Sequence, residues 1–228
     1  MLGTIVNSIA VIVGCLVGLV VKGRLNEKIS ITVMQGLALC TLYIGISGAL
    51  KGENTLIMIL SVAIGALIGE IIDIDKRLNN LGEYLESKFN GKKESNVSIA
   101  EGFVSASLLF CVGAMAIVGS LESGLSGNHN TLFTKSILDG ISSIIFTSSL
   151  GIGVIFSSVA VFIYQGGITL GAGLLSGILN DMVIANMSAV GGLLIAGLAF
   201  NMLGVTKMRI ANLLPAIFLP IIFQIFIR

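Results

Sequence analysis

The sequence predicts an all-α fold, a polytopic bundle of about eight transmembrane helices. Three observations predict it. Hydrophobic residues make up 55% of the 228, and mean hydropathy is +1.02. Charged residues make up only 11%, against about 25% in a soluble domain, too few to cover a water-facing surface. The charge that is present falls between long apolar runs. Those runs consume most of the length, so the chain, 1–228, is expected to be a single membrane domain with the lipid bilayer as its first partner. A formal net charge of +1 and no basic cluster rich in aromatics leave nucleic acid without a docking surface.

The uncharged runs Met1 to Val21, Ile29 to Leu50, Asn54 to Gly69, Gly102 to Leu121, Met182 to Thr206 and Ile210 to Ile227 each reach across about 30 Å of hydrocarbon, the third by borrowing Glu70 to Ile72. No positive charge precedes the first run, and Lys22, Arg24 and Lys28 follow it, so it is read as a retained helix and not a cleaved leader. The run Gly140 to Asn180 is too long for one crossing, and Gln165-Gly166-Gly167 near its middle predicts a turn that divides it into two. On this reading no Lys or Arg lies within a span. Leu78, Leu81, Leu85 and Phe89 recur at helical spacing among Lys76, Arg77, Glu83, Glu86 and Lys88, which predicts an amphipathic cytoplasmic helix over 76–89. Glu122 to Thr131 reads as an outer loop, and Leu132 to Leu138 as a short interfacial helix before the fifth span.

Orientation follows from the basic residues. With the N-terminus outside, Lys22, Arg24, Lys28, Lys76, Arg77, Lys88, Lys92, Lys93, Lys207 and Arg209 are cytoplasmic, and Lys51, Lys135 and Arg228 are outside; the positive-inside rule selects that arrangement. An even number of crossings puts the C-terminus outside as well.

Two internal matches suggest a repeat. Glu101-Gly102-Phe103-Val104-Ser105 aligns with Asp139-Gly140-Ile141-Ser142-Ser143, and the same offset pairs Gly113 with Gly151. A second offset aligns Gly23-Arg24-Leu25-Asn26-Glu27 with Gly177-Ile178-Leu179-Asn180-Asp181, placing spans one to three over spans six to eight. Every matched pair then runs in opposite directions, so residues 1–121 form a first half and 139–228 a second, inverted half. Inverted-topology repeats are a recurrent architecture of secondary transporters, with the site near the midplane where the halves meet.

The polar residues inside the spans supply the candidate site. Ser143, Thr147, Ser148 and Ser149 on the fifth span, Ser105 and Ser107 on its counterpart, and Asn201 are the candidate substrate or ion path, their oxygens able to replace a solute's hydration. Packing and hydrogen bonds returned to the helix's own backbone are the competing account of such hydroxyls. Asn7, Gln35, Ser47 and Asn186 are further deep polar groups, each needing a partner or a wet cavity. Glu101 and Asp139 stand where helices are expected to begin, as helix-capping or coupling acids. His129, the only histidine, falls in the outer loop, so no metal site is expected. No hydrolase or nucleotide-binding motif occurs, so neither a cofactor nor an enzyme activity is expected. Cys15, Cys40 and Cys111 fall inside apolar runs and read as packing residues.

The segments Phe110-Cys111-Val112-Gly113-Ala114-Met115-Ala116-Ile117-Val118-Gly119, Lys135-Ser136-Ile137-Leu138-Asp139-Gly140, Tyr164-Gln165-Gly166-Gly167, Ala189-Val190-Gly191-Gly192 and Asn212-Leu213-Leu214-Pro215 resemble those of the YqgA/YdfK-like bacterial membrane proteins, domain of unknown function family 554. The resemblance covers essentially the whole chain. It implies a multi-pass protein of the bacterial plasma membrane and carries over no catalytic residue. Together with the repeat, it directs the reading to a secondary transporter or permease for a small solute or ion; a homodimer is expected because eight short, Gly-rich helices are few to enclose a polar cavity and shield it from lipid. The alternative is a membrane scaffold or regulatory subunit acting through the 76–89 helix.

Overall fold

The computed structural model describes residues 1–22, 27–89 and 99–226. Arg24, Asn26, Lys92, Lys93 and Arg228 lie outside them. The described residues are helical almost throughout, in the order α1 (Leu2–Lys22), α2 (Glu27–Ala49), α3 (Thr55–Ile72), α4 (Ile74–Phe89), α5 (Ile99–Val112), α6 (Ala114–Leu125), α7 (Asn130–Leu150), a 3-10 turn (Ile152–Phe156), α8 (Ser157–Leu170), the short α9 (Ala172–Leu175), α10 (Asp181–Met202), a 3-10 segment (Ile210–Phe218) and α11 (Leu219–Phe226). Among the described residues five helical stretches are long and apolar enough to cross a bilayer: Leu2–Val21, Ile31–Ala49, Thr55–Ile72, Ile152–Leu170 and Asp181–Met202. A sixth is added if α5 and α6, bent by 59° at Gly113, count as one.

Local chemistry sets the ends. The Asn54 side chain accepts from the backbone N–H groups of Leu56 and Ile57, and Asn180 accepts from that of Val183, each satisfying donors that a helix start leaves orphaned. Asp73, left-handed at φ 54°, ends α3 and turns the chain into α4. Pro215 has no N–H to give an α-helical ladder, and the backbone around it is the tighter 3-10 form.

Three close seams hold the bundle together. Gly14 and Gly18 of α1 lie against Gly140, Ser143, Ile144 and Thr147 of α7. Gly45, Gly48 and Gly52 run along Ala196, Gly192 and Ala189 of α10, and Gly65 and Gly69 of α3 press on Ala216 and Asn212. Residue numbers rise together along the first seam and oppositely along the other two, so α1 and α7 are parallel while α2/α10 and α3/3-10 segment are antiparallel. Small residues let helix backbones approach where lipid gives no hydrophobic drive for association. The middle of the molecule is α10, 78% of whose apolar window is buried, against 17% for α2 and 22% for α3.

Four expectations are corrected. The turn inside Gly140 to Asn180 is not at Gln165-Gly166-Gly167, which lie within α8 with Gln165 fully buried. It is at Gly151, whose φ of 81° and ψ of −163° suit a residue without a Cβ. From there α8 returns to the end where α7 began: Thr169 Oγ1 lies 3.5 Å from Thr4 Oγ1, and Gly3 lies against Leu132. Leu132 to Leu138 is no separate interfacial helix but the first part of α7, whose N-cap residue His129 bonds Ser123 Oγ at 2.9 Å. Lys135 therefore sits inside a long helix, 6% exposed, and Asp139, 5% exposed, is nine residues into α7 and does not cap it. The 76–89 helix exists as α4 and packs over α5 and the 3-10 segment.

Candidate functional site

Helix α1 shows how side chains are sorted. Ile5, Ile9, Val13, Leu16 and Val20 face outward, while Thr4, Asn7 and Ser8 are buried. Water would sort them the other way; an apolar surroundings and a polar interior account for this pattern. The buried polar set continues on α7 with Ser136, Asp139, Ser143, Thr147 and Ser148, and on α8 with Ser157, Ser158, Gln165 and Thr169.

The predicted hydroxyls fall into two groups. Ser143 Oγ donates to Asp139 O at 2.7 Å and Ser148 Oγ to Ile145 O at 2.8 Å, so both return their hydrogen bonds to their own helix. Ser149 Oγ, with Ser105 Oγ and Ser107 Oγ on α5, is buried without a hydrogen-bond partner among the described residues, and the buried Thr147 Oγ1 has only the weak thiol of Cys15 beside it. A hydroxyl left that way costs about 1–3 kcal/mol in a dry core, which a wet path would relieve. Thr147 faces Gly18 across the α1/α7 seam.

Glu101, Ser105 and Asn201 come together elsewhere. They line a cleft of about 310 Å³ between α4, α5, the end of α10 and the loop leading to the 3-10 segment, with Asp75, Asn79, Lys207 and Arg209 also on its wall. Ser107, Ser143 and Thr147 to Ser149 are not part of this lining. Asn201 braces the loop: its Nδ2 donates to Met208 O at 2.7 Å, and its Oδ1 accepts from Thr206 Oγ1 at 2.7 Å and Met208 N at 2.9 Å. Its oxygen is taken up, and of its amide only one N–H is left over. Arg209 pairs with Glu70 at 2.8 Å and Asp73 at 3.5 Å, while Asn212 donates to Glu70 and accepts from the Asp75 N–H, fixing the α3/α4 corner beside the cleft.

Asp139 belongs to a third group. Lys135 Nζ lies 2.6 Å and 2.8 Å from its two carboxylate oxygens, and Asn7 Nδ2 of α1 donates to Oδ2 at 3.0 Å. Asn7 is fully buried and its Oδ1 has no partner among the described residues, nor has either polar side-chain atom of the fully buried Gln165. Sequence reading missed Lys135 by assigning it to the outer surface. Its spacing four residues before an acid, inside an otherwise uncharged stretch, was the available signal.

A family model described as "Protein of unknown function (DUF554)" matches residues 2–225. The chain belongs to this family. Among curated members, the DUF554 chain is 33% identical over 224 residues to "Uncharacterized membrane protein YdfK" of Bacillus subtilis, covering 96% of this chain and 94% of that one. It is 32% identical over 220 residues to "Uncharacterized protein YqgA" of Escherichia coli, with the same coverage. No solved structure matches.

Proposed function

We propose that this DUF554 chain is a secondary transporter or permease for a small solute or ion, crossing the bacterial plasma membrane about eight times with both termini outside. The observation that carries the reading is the set of buried, partnerless polar atoms on α1, α5, α7 and α8, enclosed by helices whose outward faces are apolar. Groups that cost free energy in a dry core fit a path that a polar substrate or water fills.

Several features support an inverted repeat behind that path. Gly113 and Gly151, paired by the sequence, each interrupt a helix, and Glu101 and Asp139 each stand twelve residues before their break. Glu27 opens α2 as Asp181 opens α10, and these matched helices are antiparallel. The matched α3 and 3-10 segment are antiparallel too.

The test is uptake by protein reconstituted in liposomes, screened against a solute and ion library. Saturable flux that a Thr147→Val, Ser149→Ala pair removes while the protein stays folded is the expected result. Folded protein that moves nothing in the library would favour the scaffold alternative.

A further inference from the structure

Lys135, Asp139 and Asn7 form a buried polar group whose net charge is zero. Lys135 bonds both oxygens of Asp139, and Asn7 bonds one of them, so the carboxylate holds three donors and keeps a free lone pair, while the Asn7 amide oxygen has no donor among the described residues. Among the described residues Lys135 pairs with no other acid. A carboxylate and an ammonium removed from water each carry a solvation penalty of several kcal/mol, and an unpaired amide oxygen adds to it. Packing alone would be served as well by apolar residues. The orphan atom is an acceptor next to a carboxylate, an oxygen set suited to a hard cation.

We propose that Lys135, Asp139 and Asn7 are a cation-exchange site, at which a small monovalent cation of sodium or lithium size replaces the proton charge held on Lys135. In the exchange the cation enters between the Asp139 carboxylate and Asn7 Oδ1, and Lys135 Nζ gives one proton to water. The ammonium becomes a neutral amine that keeps its place as a hydrogen-bond donor. The site is neutral before and after, so neither state leaves an uncompensated charge in a low-dielectric interior. That balance fixes the ratio at one proton out per cation in. Lys135 lies five residues after Asn130 at the helix start, about 7.5 Å along the axis, which gives the proton a short way to the nearer end.

The ionisable groups on helices packed against α7 are few. Through their described side chains, α1 contributes Cys15 besides the amino terminus, α2 Lys28, Cys40 and Tyr43, α5 Glu101 and Cys111, and α6 Glu122. Glu122 accepts from Thr131 Oγ1 at 2.7 Å. Among the described residues none of them forms an ion pair with Lys135 or Asp139, and Cys111 alone lies within electrostatic reach of both, so the exchange is assigned to this pair.

This inference rests on the transport reading but is tested by binding alone, in detergent and without flux. Purified protein is titrated with sodium, lithium and potassium chlorides against a choline chloride control, in two buffers of different ionisation enthalpy. Wild type should bind sodium or lithium, with Tm rising by roughly 5 °C at saturation, and release one proton per cation. Lys135→Gln moves the exchanged proton onto Asp139, because a lone buried carboxylate takes up a proton, so it should still bind the cation and release a proton, but with a pH dependence different from that of wild type. The double variant Lys135→Gln, Asp139→Asn keeps hydrogen-bonding side chains without charge and should fold but bind no cation. Cation binding without proton release in wild type overturns the proposal, as does folded wild type that responds to none of the cations, or undiminished binding by the double variant. Solute flux in liposomes with no cation binding would sink this inference and leave the transport reading standing.

Discussion

At the scale of single residues, a polar side chain in this bundle is either well bonded or conspicuously not, and the two kinds respond differently to removal. Asn201 makes three hydrogen bonds that hold the 206–208 loop. Asn201→Ala should therefore lower stability by about 1–2 kcal/mol, read as a lower Tm, and leave the selectivity of any flux unchanged. Among the described residues Ser149 Oγ has no hydrogen-bond partner and Thr147 Oγ1 has only the weak thiol of Cys15 beside it. Replacing a partnerless buried hydroxyl by a group of similar shape is near neutral or stabilising, so Thr147→Val with Ser149→Ala should unfold no earlier than wild type in a denaturation series. Lost flux with retained stability would mark them as lining a wet path. Lost stability would instead reveal hydrogen bonds that they make in the membrane.

At the scale of elements, the seams discriminate between glycines that are needed and glycines that are not. A Cβ on Gly18 would meet Thr147 Cβ at 2.8 Å and the Ile144 carbonyl oxygen at 2.5 Å, whereas one on Gly36 in α2 would meet nothing within 4 Å. Gly18→Ala should cost about 1–3 kcal/mol through overpacking, while Gly36→Ala should be neutral or gain up to about 1 kcal/mol of helix propensity. Equal effects from the two in an unfolding measurement would remove the seam as a stabilising feature. The helices themselves were legible, because apolar runs bounded by charge need no tertiary information. The α7/α8 turn was not, because Gln165-Gly166-Gly167 has the composition of a turn but the contacts of a helix, and only tertiary packing distinguishes Gly151 from the other glycines. Lys135 was misplaced for a related reason. A span defined as an uncharged run cannot contain a lysine, whereas a lysine paired at i, i+4 with an acid is tolerated in a buried helix. Of the proposed path, the buried hydroxyls at 105, 107, 147 and 149 were readable as residues. The bond that takes up Asn201, like the gap left at Asn7, depends on neighbours distant in sequence.

At the scale of the whole molecule, packing sorts helix ends into two levels, and this makes the orientation testable. Asn186 accepts from the Glu53 and Asn54 N–H groups, so the α2/α3 turn lies by the start of α10. The chain reaches α10 from α8 and α9, and Gly124 of α6 lies against Thr169 and Ala172 there. Ser123 bonds His129 at the α6/α7 corner, so Lys51 and Asn128 belong to one end. Arg209 with Glu70 and Asp73 marks the other end, and Gly153 against Ile99 lies with it through α5 and the cleft. Lys76, Arg77, Lys207 and Arg209 stand at that second end, and on the proposed orientation this excess of Lys and Arg makes it the cytoplasmic one. In a background with Cys15, Cys40 and Cys111 replaced by alanine, Lys51→Cys and Asn128→Cys should react with an impermeant thiol reagent added to intact cells, and Lys92→Cys should react only after the membrane is opened. Both Lys51 and Asn128 are exposed, which makes them better probes than Gly52, where a Cβ would press on Ala189. Labelling of Lys92→Cys from outside would reverse the orientation, and Lys51→Cys and Asn128→Cys labelling from opposite sides would break the proposed count of crossings.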